Sequence, residues 1–192
     1  MGPEAARKIS PEEYLALERK APFRSEYADG EIFAHAGASR THNLIVVNAL
    51  ACLHAQLAER GCEVYSNDMR VGIAKEGPYL YPDVVVVCGN PVFRDEHIDT
   101  LLNPTLIIEV LSESTEAYDR GGKFARYRLL ASLQDYLLVS QSEPRVERFA
   151  RQPGEKWLLS EVRGLEGALL RLDSIGCELP MQAICAKTTV PP

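Results

Sequence analysis

No block of this 192-residue sequence approaches the ~20 consecutive apolar residues that cross a bilayer; runs such as Val84–Cys88 and Leu106–Ile108 are a quarter of that or less. A membrane span is not expected. Residues 1–20 carry charges throughout and lack an apolar h-region, so a secretory signal is not expected either, and the expected location is the cytoplasm. Cysteine is scarce: Cys52, Cys62, Cys88, Cys177 and Cys185 form an odd set without a CxxC pair, which reads as buried reduced thiols rather than a disulfide framework or a zinc site. His35, His42, His54 and His97 show neither HxxxH nor HExxH spacing, which argues against histidine-based zinc chemistry. Basic excess is absent too. Twenty-one Lys plus Arg against 27 Asp plus Glu leave a net charge of −6, which argues against a coat protein that neutralises many phosphates but leaves room for a locally basic groove. Without GxxxxGK[ST], GxSxG or a GxGxxG turn after a strand, nucleotide hydrolysis, α/β-hydrolase chemistry and dinucleotide redox have no foothold.

What remains is globular: 46% apolar and 25% charged residues, in a chain long enough to bury a core without staples. Ser10-Pro11-Glu12-Glu13 places a cap, a first-position proline and two acids at the start of a helix running to about Arg19, before Pro22. Arg24–Tyr27 and Glu31–Ala36 read as a hairpin through Ala28-Asp29-Gly30. From Ser39 or Thr41, Leu44, Val47, Leu50, Leu53 and Leu57 recur at helical steps, with Gly61 as the stop. Strands are expected over Cys62–Val71, Tyr81–Cys88 and Thr105–Leu111. A helix follows over Asp119–Ala131, with Phe124, Tyr127, Leu130 and Ala131 inward, and then a strand over Tyr136–Ser140. Arg145–Arg151, Lys156–Arg163 and Leu169–Leu172 alternate like antiparallel strands and are expected to extend the sheet. The order is αβββαβ: an α/β fold with a mixed central sheet, an N-terminal hairpin and a C-terminal antiparallel extension, read as a single domain over residues 1–185 with a flexible tail over 186–192.

Two acids stand where acids are costly. Asp83 opens the apolar strand Val84–Val87, and Glu109 lies inside Leu106–Leu111; each needs a compensating cation or hydrogen bonds. If these strands are antiparallel neighbours with Val84 opposite Ile108, Asp83 falls opposite Glu109 on the same face. Two such carboxylates suit a hard divalent cation. Alternatively, each merely satisfies backbone amides or pairs with Lys123, Arg126 or Arg128. The stretch Asp119–Arg128 is the most basic in the chain. Lys123 is the candidate for steadying a water that attacks phosphorus, and a surface ion pair with Asp119 is its equal alternative. Arg120, Arg126 and Arg128 either position DNA phosphates or solubilise the surface.

Pro82-Asp83, Glu109-Val110-Leu111-Ser112 with Ser114-Thr115, Asp119 with Lys123 and Tyr127, and Asp135-Tyr136 together resemble an endonuclease group within the PD-(D/E)xK nuclease superfamily. Glu26–Glu31, Ser39 and His42 resemble that group's N-terminal hairpin and helix entry, and the similarity spans about Pro11–Val162. The resemblance implies a restriction-endonuclease-like core and a metal-dependent endonuclease acting on DNA as a homodimer. It also implies that Asp83, Glu109 and the Val110 carbonyl hold Mg²⁺ or Mn²⁺. One departure stands out: Leu111 occupies the place of the signature lysine, so that role passes to Lys123. Within this reading Glu26 is an outer metal ligand and His42 contacts substrate or a water, with capping or core packing as the alternative for both. The rival function keeps the fold without the chemistry, as a binding or oligomeric scaffold.

Overall fold

In the computed structural model, which describes residues 8–34 and 37–190, the Ser10 side chain accepts from the Glu13 N–H. With Pro11 in the first turn, it starts α1 (Pro11–Glu18). Strands β1 (Ser25–Ala28) and β2 (Glu31–Ala34) form the hairpin. Asp29 and Gly30 both adopt positive φ, 56° and 86°, as a tight two-residue turn demands. The expected end of β2 at His35–Ala36 lies outside the described residues.

Helix α2 (Arg40–Leu57) is capped by Ser39, whose side chain accepts from the His42 N–H. Its buried stripe is Ile45, Val46, Ala49, Leu53 and Leu57, whereas Val47 is exposed and Leu44 and Leu50 are half-buried. The stripe is therefore rotated from the expected one, because both faces of the helix carry aliphatic residues and the choice fell to the sheet beneath. Its last residue leads into Ala58 in ordinary helical conformation, so Gly61 is not the stop.

The expected strand over 62–71 splits into β3 (Cys62–Ser66) and β4 (Arg70–Gly72), which enter different sheets. Then come β5 (Tyr79–Leu80), β6 (Val84–Cys88), β7 (Thr100–Leu101) and β8 (Leu106–Val110). The expected helix over 119–131 is instead α3 (Glu116–Tyr118), a π-helical turn (Asp119–Lys123) and α4 (Phe124–Tyr127). It ends early because Arg151 donates to the carbonyls of Arg128, Leu130 and Leu133, satisfying acceptors that further helix would have used. Ala131, expected inward, is exposed. The remainder is β9 (Asp135–Val139), β10 (Arg145–Gln152), β11 (Lys156–Arg163), β12 (Leu169–Leu172), β13 (Cys177–Pro180) and α5 (Met181–Ile184).

The central six-stranded sheet has the order β11-β10-β9-β8-β6-β3; β8 and β9 run parallel and the other neighbours are antiparallel. It is the mixed central sheet that the sequence led one to expect. A five-stranded sheet, β2-β1-β5-β4-β7, carries the hairpin. One face of the central sheet packs Val84, Val86, Ile108 and Val110 against α2 and α5; the other packs Val85, Val87, Ile107 and Leu111 with Tyr127, Leu130 and Tyr136. Strands β10 and β11 extend the sheet as expected. Strand β12 does not: it pairs with β13, and this ladder joins the core under α2.

One further expectation changes. Cys62 and Cys88 face each other across β3 and β6, with Cα atoms 4.0 Å apart, and form a disulfide; Cys52, Cys177 and Cys185 are free. Cross-strand register put the two sulfurs together, and spacing along the chain carries no trace of it. Within the segment expected as a tail, Val190 is buried against the α2 layer and Asn48 donates to the Ala186 carbonyl, while Ala186, Lys187 and Thr189 are exposed. Residues 191–192 lie outside the described residues. No helix among the described residues is long and apolar enough to cross a membrane.

Candidate active site

The register Val84↔Ile108 carries one step further, to Asp83 and Glu109, at the open end of β6 and β8. Asp83 Oδ2 accepts from the Val110 N–H at 2.7 Å, so the acid just before one strand is pinned to the backbone of the next. His42 Nε2, from the first turn of α2, lies 2.9 Å from Asp83 Oδ1. Glu109 points to the same side as Ile107 and Leu111, beneath the π-helical turn, and is 2% exposed. Its Oε1 accepts from Lys123 Nζ at 3.0 Å and from the Tyr127 hydroxyl at 3.2 Å. Leu111 is buried in the adjoining core, and the cation comes from the covering helix.

Lys123 is also buried and faces Glu26 Oε1 at 3.2 Å and Asp119 Oδ1 at 3.5 Å. Glu26 reaches it from β1, with Oε1 accepting the Tyr81 N–H at 3.0 Å. Asp119 Oδ2 accepts from Thr115 at 2.7 Å. Burial raises the Glu109 carboxyl well above its ordinary value; Lys123 opposes the shift, and Asp83, Asp119 and Glu26 add to it. Burial likewise raises Asp119, again against Lys123. For Lys123, burial works to lower the ammonium, but Glu109, Glu26 and Asp119 outweigh it and hold the group above the usual lysine value. Replacing Tyr127 with Phe is expected to cost about 1 kcal/mol, the worth of one buried hydrogen bond, in urea unfolding; an unchanged midpoint would mean that the hydroxyl does not support Glu109.

Glu26, His42, Asp83, Glu109, Asp119 and Lys123 line a cleft of about 1350 Å³. Among the lining residues, six acids (Glu26, Asp83, Glu109, Glu113, Glu116 and Asp119) meet Lys123 and His42. A second layer of contacts shapes the mouth: Gln141 donates to the Leu111 carbonyl at 2.6 Å and accepts from Ser39, tying the start of α2 to the end of β8.

The structure thus brings Asp83, Glu109, Val110, Lys123, Glu26 and His42 to one place. It does not bring the three arginines there. Arg120 is engaged by Glu116 and Glu147, Arg126 by Asp29 and the Gly122 carbonyl, and Arg128 is exposed outside the cleft lining. Helical periodicity placed their Cα atoms near Lys123, but their side chains radiate away from it. Asp119 and Tyr127 stand in the sequence motif beside Lys123, but neither is assigned a catalytic or metal role from sequence: Asp119 reads as an i,i+4 ion-pair partner and Tyr127 as core. Gln141 is not named from sequence and has no local signal.

A hard divalent cation fits this donor set. Three buried carboxylates, Glu26, Glu109 and Asp119, face one lysine, Asp83 is buried at the same strand end, and Asp119 Oδ1 lies 3.5 Å from the lysine without a hydrogen bond. No group of three or more His, Cys, Asp or Glu among the described residues forms a metal cage by itself. That is the usual situation for Mg²⁺, which takes one or two carboxylates and completes its shell with water and substrate phosphate.

Fold and site together define an α/β protein of the restriction-endonuclease-like class. Residues 11–182 match the family model described as "Uma2: Putative restriction endonuclease", and the chain belongs to that family. It is 41% identical over 152 residues to "Uncharacterized protein sll1609" of Synechocystis sp., covering 79% of this chain and 86% of that one. It is 38% identical over 180 residues to "Uncharacterized protein slr1290" of the same organism, covering 92% and 91%. In fold it is similar to the crystal structure of "a putative nuclease belonging to DUF820" from Anabaena variabilis, with a TM-score of 0.72, 19% identity, and 92% and 97% of the two chains covered.

Proposed function

We propose that this protein is a metal-dependent endonuclease that hydrolyses DNA phosphodiester bonds. The observation that carries the reading is the convergence of Asp83, Glu109 and Val110 at one sheet end with Lys123 over them. Asp83, Glu109 and the Val110 carbonyl would hold Mg²⁺ or Mn²⁺, which when bound supplies Lewis-acid stabilisation of the phosphoryl oxygens and eases ionisation of the attacking water. The Val110 N–H and His42 orient the Asp83 carboxylate. Tyr127 restrains Glu109 from behind, and Lys123 presents a proton-donating ammonium where the water is steadied. The homodimer rests on the family resemblance alone.

Purified protein with Mg²⁺ or Mn²⁺ is expected to cut at least one of supercoiled plasmid, linear duplex and single-stranded circle. Chelation or Asp83→Asn should abolish the cutting. No cleavage of any form, or equal cleavage by the variant, would overturn the proposal. The scaffold alternative is favoured by Leu111 and by the acid-dominated cleft; it calls for no Mn²⁺ binding heat that Asp83→Asn removes.

A further inference from the structure

The Lys123 ammonium meets its three carboxylates unequally. Glu109 Oε1 lies at 3.0 Å and also accepts from Tyr127; Glu26 Oε1 lies at 3.2 Å and also accepts from the Tyr81 N–H. Asp119 Oδ1, at 3.5 Å, is buried and makes the longest of the three contacts, an ion pair with Lys123 not closed to a hydrogen bond. Asp119 and Lys123 sit at the two ends of one π-helical turn, so a side-chain movement of a few tenths of an ångström closes the gap without moving backbone. Asp83 cannot serve the lysine this way, since His42 and the Val110 N–H engage its two oxygens.

A divalent cation on Glu109 repels an ammonium hydrogen-bonded to that same carboxylate. The ammonium must then yield Glu109 while staying over the reaction centre. We propose that Asp119 is the positioning residue that receives Lys123 when a divalent cation claims Glu109. This rests on the metal-dependent reading above. Asp119 Oδ1 is the reserved acceptor of that exchange: Lys123 holds the carboxylates together before the ion arrives and is retained by Asp119 and Glu26 afterwards.

Calorimetric titration with Mn²⁺ alone tests it through a double-mutant cycle. Asp119→Asn is expected to weaken binding about tenfold in the otherwise native chain, and less than about twofold where Lys123→Met has removed the displaced group. Equal losses in both backgrounds would mean that Asp119 acts on the ion directly; no loss in either would leave it only a structural role. Both outcomes overturn the inference. Should Lys123→Met fold poorly, ¹⁵N-lysine spectra of the native chain and Asp119→Asn decide. Adding Mg²⁺ should leave the Lys123 ammonium protected from hydrogen exchange in the first and exposed in the second, and identical responses overturn the assignment. Native protein that binds no Mn²⁺, or binding that Asp83→Asn leaves untouched, overturns the metal reading and this inference with it. Binding that Asp83→Asn abolishes, combined with equal Asp119→Asn losses, overturns this inference alone.

Discussion

Glu109→Gln is expected to remove cleavage while making the metal-free protein more stable at neutral pH. The amide keeps an acceptor for Lys123 and Tyr127 but cannot become an anion, so the loss of a charged group at the reaction centre should cost about 10²-fold to 10³-fold or more in rate. The stability gain follows from the sign of the shift. Burial raises the folded-state value of Glu109, with Asp83, Asp119 and Glu26 adding to it and Lys123 opposing, so the native protein binds this proton more tightly than the unfolded chain does. That contribution is fully present below the ordinary value of 4.5 and fades as pH rises through the raised one. Glutamine does not titrate. The variant's advantage should therefore vanish below pH 4.5, emerge above it and grow toward neutrality, in urea unfolding with a chelator present. A gain that is the same at every pH, or a loss at pH 7, would contradict this account of the site's strain.

Lys123→Met is expected to share the loss of activity but to change stability in the opposite direction, lowering it. It leaves Glu26, Glu109 and Asp119 buried without their shared cation, and breaking a buried pair by removing one partner costs about 3–5 kcal/mol. At roughly 2–4 °C per kcal/mol for a chain of this size, the melting point should fall by roughly 6–20 °C. Acidification should narrow the deficit, because protonated carboxyls no longer need the ammonium. Lost stability therefore does not mark Lys123 as merely structural: one side chain both neutralises the acids and serves the proposed chemistry. The opposed stability signs of the Glu109 and Lys123 variants are the signature of a site with more carboxylates than cations.

Much of this was legible in the order of residues. The capped start of α1, the Asp29-Gly30 turn and the apolar strands β6 and β8 rest on short-range propensity and alternation. Pairing Val84 with Ile108 was an assumption that the structure bears out, and it brings Asp83 to the Val110 N–H and beside Glu109. The rotated stripe of α2, the early end of α4 and the Cys62–Cys88 link were not legible. Each depends on what a distant segment presents: the sheet under α2, Arg151 from β10, and the register of β3 on β6.

The sequence by itself determined that one acid opens an apolar strand and another lies within a second, with a basic segment following, since hydrophobic burial leaves such strands few places to go. Only the tertiary structure decided which charges meet there. It chose Lys123 over three nearby arginines, drew Glu26 and His42 in from separate elements, and left Asp119 with an unfilled acceptor. Side-chain direction is the physical reason. Neighbours along a helix point tens of degrees apart, so proximity in sequence fixes where a charge begins, whereas the packed layers fix where it ends.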